Sequence, residues 1–402
     1  MKHKMKPVFA SLQGGLFTPV EKADVGVSAA DLDARGITLM AWADPFFPQP
    51  SLADSVKKAL MDALEGGAPE HYTAPSGNPL LRELLAEKLA AYNHLSPDPH
   101  RNILITPGSD AGLFFAMLPF ISPGDEVLTP DPGYPSNFLN PRLLGGETVP
   151  VPLRAEDDFQ PDVDEFRKRL GPKTKMVLFC HPNNPTGTVF RRKHLEALCD
   201  FIVQKDLILV CDMAFEDLIY DDIELVSPAS LPGMWERTLT VFSFSKGFCL
   251  SGLRVGYIVA ADTVMDVLYG SAVNVIGAAN TAAQYGAMAA LKDKTLLPRL
   301  REYFDRRRRL VYELFRDTPG IRMTLPESGY LSWLNVSALG DSGKIAAHIR
   351  DRASVLVNDG ANYGSRGRGW LRIVHGACGT HEAALAACGR IKEALESYWA
   401  LS

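Results

Sequence analysis

Apolar positions recur at helical spacing early in the chain. Leu52, Val56, Leu60 and Leu64 predict a helix that starts near Ser51 and stops at Gly66 and Gly67. Leu80, Leu81, Leu84, Leu85 and Leu89 predict a second helix from about residue 79 to 92. Residues 1–50 lack such a period; Gly and Pro interrupt them, around one short apolar segment at 37–42. From residue 102 the pattern changes. Short apolar runs at 103–106, 126–129, 175–180, 207–211, 238–242 and 256–259 read as strands. Helical patterns after Gly108 and at 162–170 and 193–205 lie between some of them. This alternation predicts an α/β fold on a doubly wound, mainly parallel sheet. Such sheets bind ligands where loops leave the carboxyl ends of the strands. Beyond residue 290 come a long helix, strands at 323–325, 330–336, 355–357 and 371–374, a helix near 343–352, and a closing helix at 381–399. These predict a smaller α+β domain. The division is 50–290 for the large domain, and 1–49 plus 291–402 for the small one.

Composition narrows the partners. The chain has 402 residues, 46% hydrophobic and 22% charged, which excludes global disorder. The net charge of −5 offers no basic excess for nucleic acid or anionic membranes. The basic run Arg306–Arg309 falls in a helical stretch and reads as a solvated helix face. The six cysteines form no CxxC pair, and no Cys/His cluster has zinc-site spacing, so no metal site is expected. Reduced, buried thiols fit a cytoplasmic protein. The opening MKHKMKPVFA is basic but lacks the apolar run of a signal peptide, and no apolar stretch is long enough to span a membrane.

The candidate chemistry lies at predicted strand ends. Ser243-Phe-Ser245-Lys246 continues through Arg254 to Gly256 after the 238–242 strand. A lysine amine there can form a Schiff base with an aldehyde, while hydroxyls and a guanidinium bind a phosphate; the alternative is a surface lysine in a loop. Cys180-His-Pro-Asn-Asn184-Pro-Thr-Gly187 is either a plain turn or a turn whose amide donates to a phenolate oxygen. Asp212 either pairs with a protonated ring nitrogen or caps a helix. Thr106-Pro-Gly108-Ser109-Asp110 opens a helix whose amides can seat a phosphate. The Asp110 carboxylate is out of place beside a phosphate, and helix capping explains it best.

Together these segments resemble the fold-type I enzymes that use pyridoxal 5'-phosphate, specifically the class I and II aminotransferases. The resemblance runs from Tyr72-Thr-Ala-Pro-Ser-Gly77 to Arg372. It implies a three-layer fold. It implies Lys246 as the Schiff-base lysine, Asp212 as partner of the pyridine nitrogen, and Asn184 as donor to the ring hydroxyl. Ser243, Ser245, Arg254 and the amides of Gly108, Ser109 and Asp110 are implied as the phosphate cup. Tyr134 is placed to stack on the cofactor, and Tyr72 to reach the cofactor of a partner subunit, so a homodimer is implied. Arg372 is placed to hold the substrate carboxylate, with Ala43 where relatives carry a glycine amide near the substrate. The implied reaction is ping-pong transfer of an amino group between an L-amino acid and a 2-oxo acid. A C–S β-lyase or other side-chain-modifying enzyme is the alternative, and a catalytically silent module is a more distant one.

Three departures stand out. Phe215 replaces a tyrosine that donates to the ring oxygen in many relatives. The segment 270–290 has no Lys or Arg, which leans against aspartate as the best substrate. The Gly-rich loop 362–369, with Arg366 and Arg368, reads equally as a lid or an ordinary turn. His181 is expected to pack at a strand end.

Overall fold

The computed structural model describes residues 5–8 and 35–400, so most of the N-terminal stretch lies outside the described residues. A short β1 (Thr38–Leu39) precedes seven strands that form one sheet. These are β2 (Ile103–Thr106), β3 (Glu126–Asp131), β4 (Glu147–Pro152), β5 (Thr174–Cys180), β6 (Ile208–Asp212), β7 (Thr238–Ser243) and β8 (Gly256–Val259). Their spatial order is β2-β8-β7-β6-β5-β3-β4. β4, β3, β5, β6 and β7 run parallel, while β8 is antiparallel to both β7 and β2. β2 therefore points the same way as the parallel set.

Side chains of the central strands alternate between two apolar layers, as the strand period of two requires. Val177, Phe179, Leu209, Cys211 and Phe242 join one core with the helices Asp54–Glu65, Pro79–Lys88 and Arg192–Gln204. Met176, Leu178, Val210 and Val241 join the other, with the helices Ser109–Met117 and Asp262–Val275. This is a three-layer α/β/α arrangement. Burial on both faces explains why the cores of β5 and β6 read as continuous apolar runs. The structure departs from the sequence pattern at β4 and β8. β4 escaped notice because it is an edge strand holding two prolines, which only an edge tolerates. Nothing in the short run of β8 encodes its reversed direction.

A second apolar core gathers Phe304, Val311, Tyr330, Leu334, Ile373 and Ile391. Its four-stranded antiparallel sheet has the order β12-β13-β10-β9. The strands are β9 (Arg322–Met323), β10 (Leu331–Asn335), β12 (Asn358–Asp359) and β13 (Trp370–Val374); β11 (Val355–Leu356) instead pairs with β1. The helices Leu296–Phe315, Ser342–Ala353 and His381–Trp399 cover it.

The basic run on the first of these helices is not a solvated face. Arg307 and Arg308 are fully buried. Arg307 Nη1 donates to the carbonyls of Ala377 and Cys378 at 2.8 and 2.9 Å, and its guanidinium lies 4.8 Å from the Tyr303 ring centre. Arg308 donates to the Pro326 carbonyl at 2.8 Å and lies over Tyr220. Carbonyls of distant turns and, for Arg308, the carboxylates of Asp221 and Asp305 satisfy these charges, and the convergence of such distant groups is not visible in the local pattern. No helix among the described residues is long and apolar enough to cross a membrane.

Candidate active site

Because β2, β3, β5, β6 and β7 share one direction, their carboxyl ends meet at one edge of the sheet. A 590 Å³ cavity opens there, walled on its far side by the 41–44 segment and β13.

At the end of β6, Asp212 is 4% exposed. Its carboxylate accepts from the Ala214 amide at 3.1 Å and from Cys180 Sγ at 3.1 Å. Burial pushes its carboxyl up to about 6. The turn after β7 carries Lys246, whose amine donates to the Ala43 carbonyl at 2.7 Å. Burial brings that amine down to about 8. Phe215 forms a wall beside it: the Lys246 nitrogen lies 5.9 Å from the ring centre, and Tyr330 meets the ring edge-on. Phe215 thus both lines the cavity and packs in the second core.

The other end of the cavity is an anion seat. Gly108, at φ 83°, precedes the helix Ser109–Met117 and has no side chain to cap its first amides. A Cβ at Gly108 would come 2.3 Å from Arg254 Nη2 and displace the guanidinium, and φ 83° already favours glycine there. Gly256 likewise admits the helix start, since its Cβ would fall 2.6 Å from the Ser109 amide nitrogen. Arg254 donates to Ser245 Oγ at 3.3 Å, and Ser243 Oγ accepts from the Ser245 amide at 3.1 Å. Asp110 does not cap the helix. Its carboxylate instead accepts from the Tyr134 hydroxyl at 3.0 Å and lies 3.5 Å from Arg254 Nη2.

Arg372, on β13, closes the opposite wall and is 2% exposed. It donates to Asn358 Oδ1 through Nε and Nη2 at 3.0 and 2.7 Å, and to the Ala41 carbonyl at 2.6 Å. It also donates to Asn184 Oδ1 at 3.2 Å, which leaves the Asn184 Nδ2 as the donor end of that amide. Ala43 offers its carbonyl, to Lys246 and to the Tyr330 hydroxyl.

The structure thus gathers Lys246, Asp212, Asn184, Arg254, Ser109, Asp110, Ser245, Tyr134, Ala43 and Arg372 around one cavity. Ser243 and Gly108 sit just behind the seat. Tyr72 is elsewhere: it is fully exposed, beside a hollow formed by 69–73 and 278–281. The loop 362–369 is an anchored turn, because Asp131 accepts from the Ser365 amide and hydroxyl at 3.0 and 2.6 Å and from the Arg366 amide at 3.0 Å. His181 is buried and stacked on Phe190, a packing role. Sequence reasoning missed Cys180, Tyr330, Asn358 and Ala41. No local signal marks them, since each meets the site only through tertiary contacts.

The sequence matches the profile described as aminotransferase class I and II over residues 40–391. It is 33% identical over 354 residues to an aspartate aminotransferase of Pyrococcus abyssi, covering 87% of this chain and 88% of that one. It is also 33% identical to aromatic-amino-acid aminotransferase 2 of Thermococcus litoralis, covering 84% and 87%. The solved structure of an aromatic aminotransferase from Pyrococcus horikoshii superposes with a TM-score of 0.84 at 32% identity, covering 92% of this chain and 99% of that one.

Proposed function

This chain belongs to the class I and II aminotransferases and is an amino-acid transaminase of their fold type I, and from that premise we propose that it uses pyridoxal 5'-phosphate as a cytoplasmic homodimer. One observation carries the cofactor reading: a buried amine, a buried carboxylate and a guanidinium face a single cavity.

The residues fit the cofactor. The uncapped amides after Gly108, with Ser245 and Arg254, match a phosphate; Ser243 supports them from behind. Among the described residues no cation pairs with the buried Asp212, a partner that a protonated ring nitrogen would supply. The Asn184 amide would donate to a ring oxygen, and Tyr134 would lie against the ring. When bound, the group supplies an electron sink for charge developing at the substrate α-carbon.

The chain's own residues do the rest. Arg372 grips the substrate carboxylate in its planar fork, held in aim by Asn358 and the Ala41 carbonyl. That grip decides which bond at the α-carbon faces the lysine. Lys246 Nζ, brought down to about 8 by burial and so carrying a substantial neutral fraction at that pH, takes the proton from that carbon as general base. Phe215 and Trp42 shield the reacting atoms from water. Exposed apolar residues, among them Met61, Leu64 and Val273, support a second copy, as does the fully exposed Tyr72. On this reading 50–290 form the cofactor-binding domain, and 1–49 with 291–402 the small one.

Adding pyridoxal phosphate to the purified protein should produce a yellow band. An L-amino acid should bleach it and a 2-oxo acid restore it, and Lys246→Ala should abolish the cycle. Protein that stays colourless would refute the cofactor assignment. The matched relatives carry aminotransferase names, so the lyase alternative is not favoured; ammonia and pyruvate released from a cysteine conjugate would revive it.

A further inference from the structure

The Asp110 side chain has no part in the reaction just derived, yet it stands on the cavity wall. It sits in the first turn of the helix Ser109–Met117, and its side chain is 56% exposed. Tyr134 and Arg254 are its polar contacts, at 3.0 and 3.5 Å. The cations that line the cavity are Lys246, Arg254 and Arg372, and the proposed reaction engages all three. Arg254 turned toward a phosphate dianion has little charge to spare for Asp110. Phosphate and carboxylate then leave a negative surplus at this end, which the helix terminus offsets only in part. A second carboxylate on the cavity wall, Asp44, accepts from the Ser251 hydroxyl at 2.5 Å and adds to the negative charge there. The rings of Trp42 and Phe215, which line the same cavity, offer apolar surface to a methylene stem.

We propose that Asp110 is a specificity-determining residue that favours amino acids with a long stem and a cationic end over neutral ones of equal length, and disfavours those with a second carboxylate. The ammonium or guanidinium would pair with the Asp110 carboxylate beside the Tyr134 hydroxyl. This rests on the aminotransferase reading and names the substrate class of the same site.

Three six-carbon ligands that cannot be transaminated test it in the holoenzyme: 6-aminohexanoate, hexanoate and adipate, with binding read by calorimetry. All share the carboxylate that Arg372 would hold and differ only at the far end. The expected order of affinity is cationic, neutral, anionic. Asp110→Asn should shrink the ratio of 6-aminohexanoate to hexanoate affinity about tenfold or more, as loss of a charge-assisted hydrogen bond does. The ratio is taken within each protein, so a general loss of affinity cancels. If the variant does not fold, raising the salt concentration on the wild type should weaken 6-aminohexanoate binding more than hexanoate binding. Adipate binding as tightly as 6-aminohexanoate, or ratios insensitive to both Asp110→Asn and salt, overturns the inference. In parallel, kcat/KM for lysine should exceed that for norleucine and glutamate. A holoenzyme that transaminates but shows no such order sinks this inference alone, whereas one that moves no amino group from any amino acid sinks the reaction itself.

Discussion

Replacing Asn358 by leucine removes the acceptor that aims Arg372. Of the three bonds lost, one comes from the Tyr363 hydroxyl at 3.2 Å; the other two, at 3.0 and 2.7 Å, run from a charged donor to the same amide oxygen, and the guanidinium they orient is 2% exposed. Hydrogen bonds to charged groups are worth about 1.5–3 kcal/mol, so two that share an oxygen contribute about 2–3 kcal/mol. Bonds from Arg372 to the Ala41 carbonyl and Asn184 survive, so the arginine stays in place but loses its fixed plane. If the substrate carboxylate needs that plane in the transition state, kcat/KM falls roughly 30- to 150-fold. Steady-state kinetics with one amino acid and one 2-oxo acid would read this. Asn358 lies behind Arg372 and off the cavity wall, so cofactor uptake should be unchanged. Asn358→Asp separates aiming from packing. Its carboxylate would neutralise the guanidinium and compete with the substrate, so KM should rise although the acceptor is restored. A folded Asn358→Leu holoenzyme with kcat/KM within about threefold of wild type would show that Asn358 does not position Arg372.

The Lys246 amine, at about 8 against an ordinary 10.5, implies that the apoprotein's reaction with an aldehyde speeds up with pH to about 8 and then levels; a rate still climbing at pH 10 would contradict it. Between those values the unfolded chain binds the proton that the folded amine has lost, so this group makes apoprotein stability rise with pH there. Asp212, raised from 3.8 to about 6, acts in the opposite sense: the folded state holds the extra proton, and stability falls as pH rises through that window. Urea midpoints of wild type and Asp212→Asn across pH 4–7 should diverge, and parallel curves would exclude the raised carboxyl. Phe215→Tyr restores a donor to the cofactor's ring oxygen and should lower the pH midpoint of the yellow band by about one unit, the worth of one hydrogen bond; an unchanged or higher midpoint defeats the idea. Arg307→Met strands the buried carbonyls of Ala377 and Cys378 and should cost about 3–5 kcal/mol in urea unfolding, with Arg307→Lys recovering only part; a loss under about 1 kcal/mol would mean that water replaces the guanidinium.

Much of the site was legible because its chemistry is local in sequence. Lys246, Asp212, Asn184 and the Gly108 helix start each follow a strand, and strands buried on both faces announce themselves as apolar runs. The closing helix His381–Trp399 was equally plain, from its apolar period. The carboxylate of Asp110 was read as a cap because sequence position alone favours that role at a helix start; the structure turns it to Tyr134 and Arg254 instead.

By itself, then, the sequence determined the alternation of strands and helices, the residues at the strand ends, and through them the class of reaction. Those features depend on spacings of a few residues, which the backbone's two periods make visible. Only the tertiary structure decided what stands behind each of them. Asn358 at Arg372, Cys180 at Asp212 and the Ala43 carbonyl at Lys246 are partners drawn from up to 203 positions away along the chain. The burial of Arg307 and Arg308 belongs with them. A charge enters the interior only when carbonyls or carboxylates from other segments converge on it, and that convergence is a property of the packed fold.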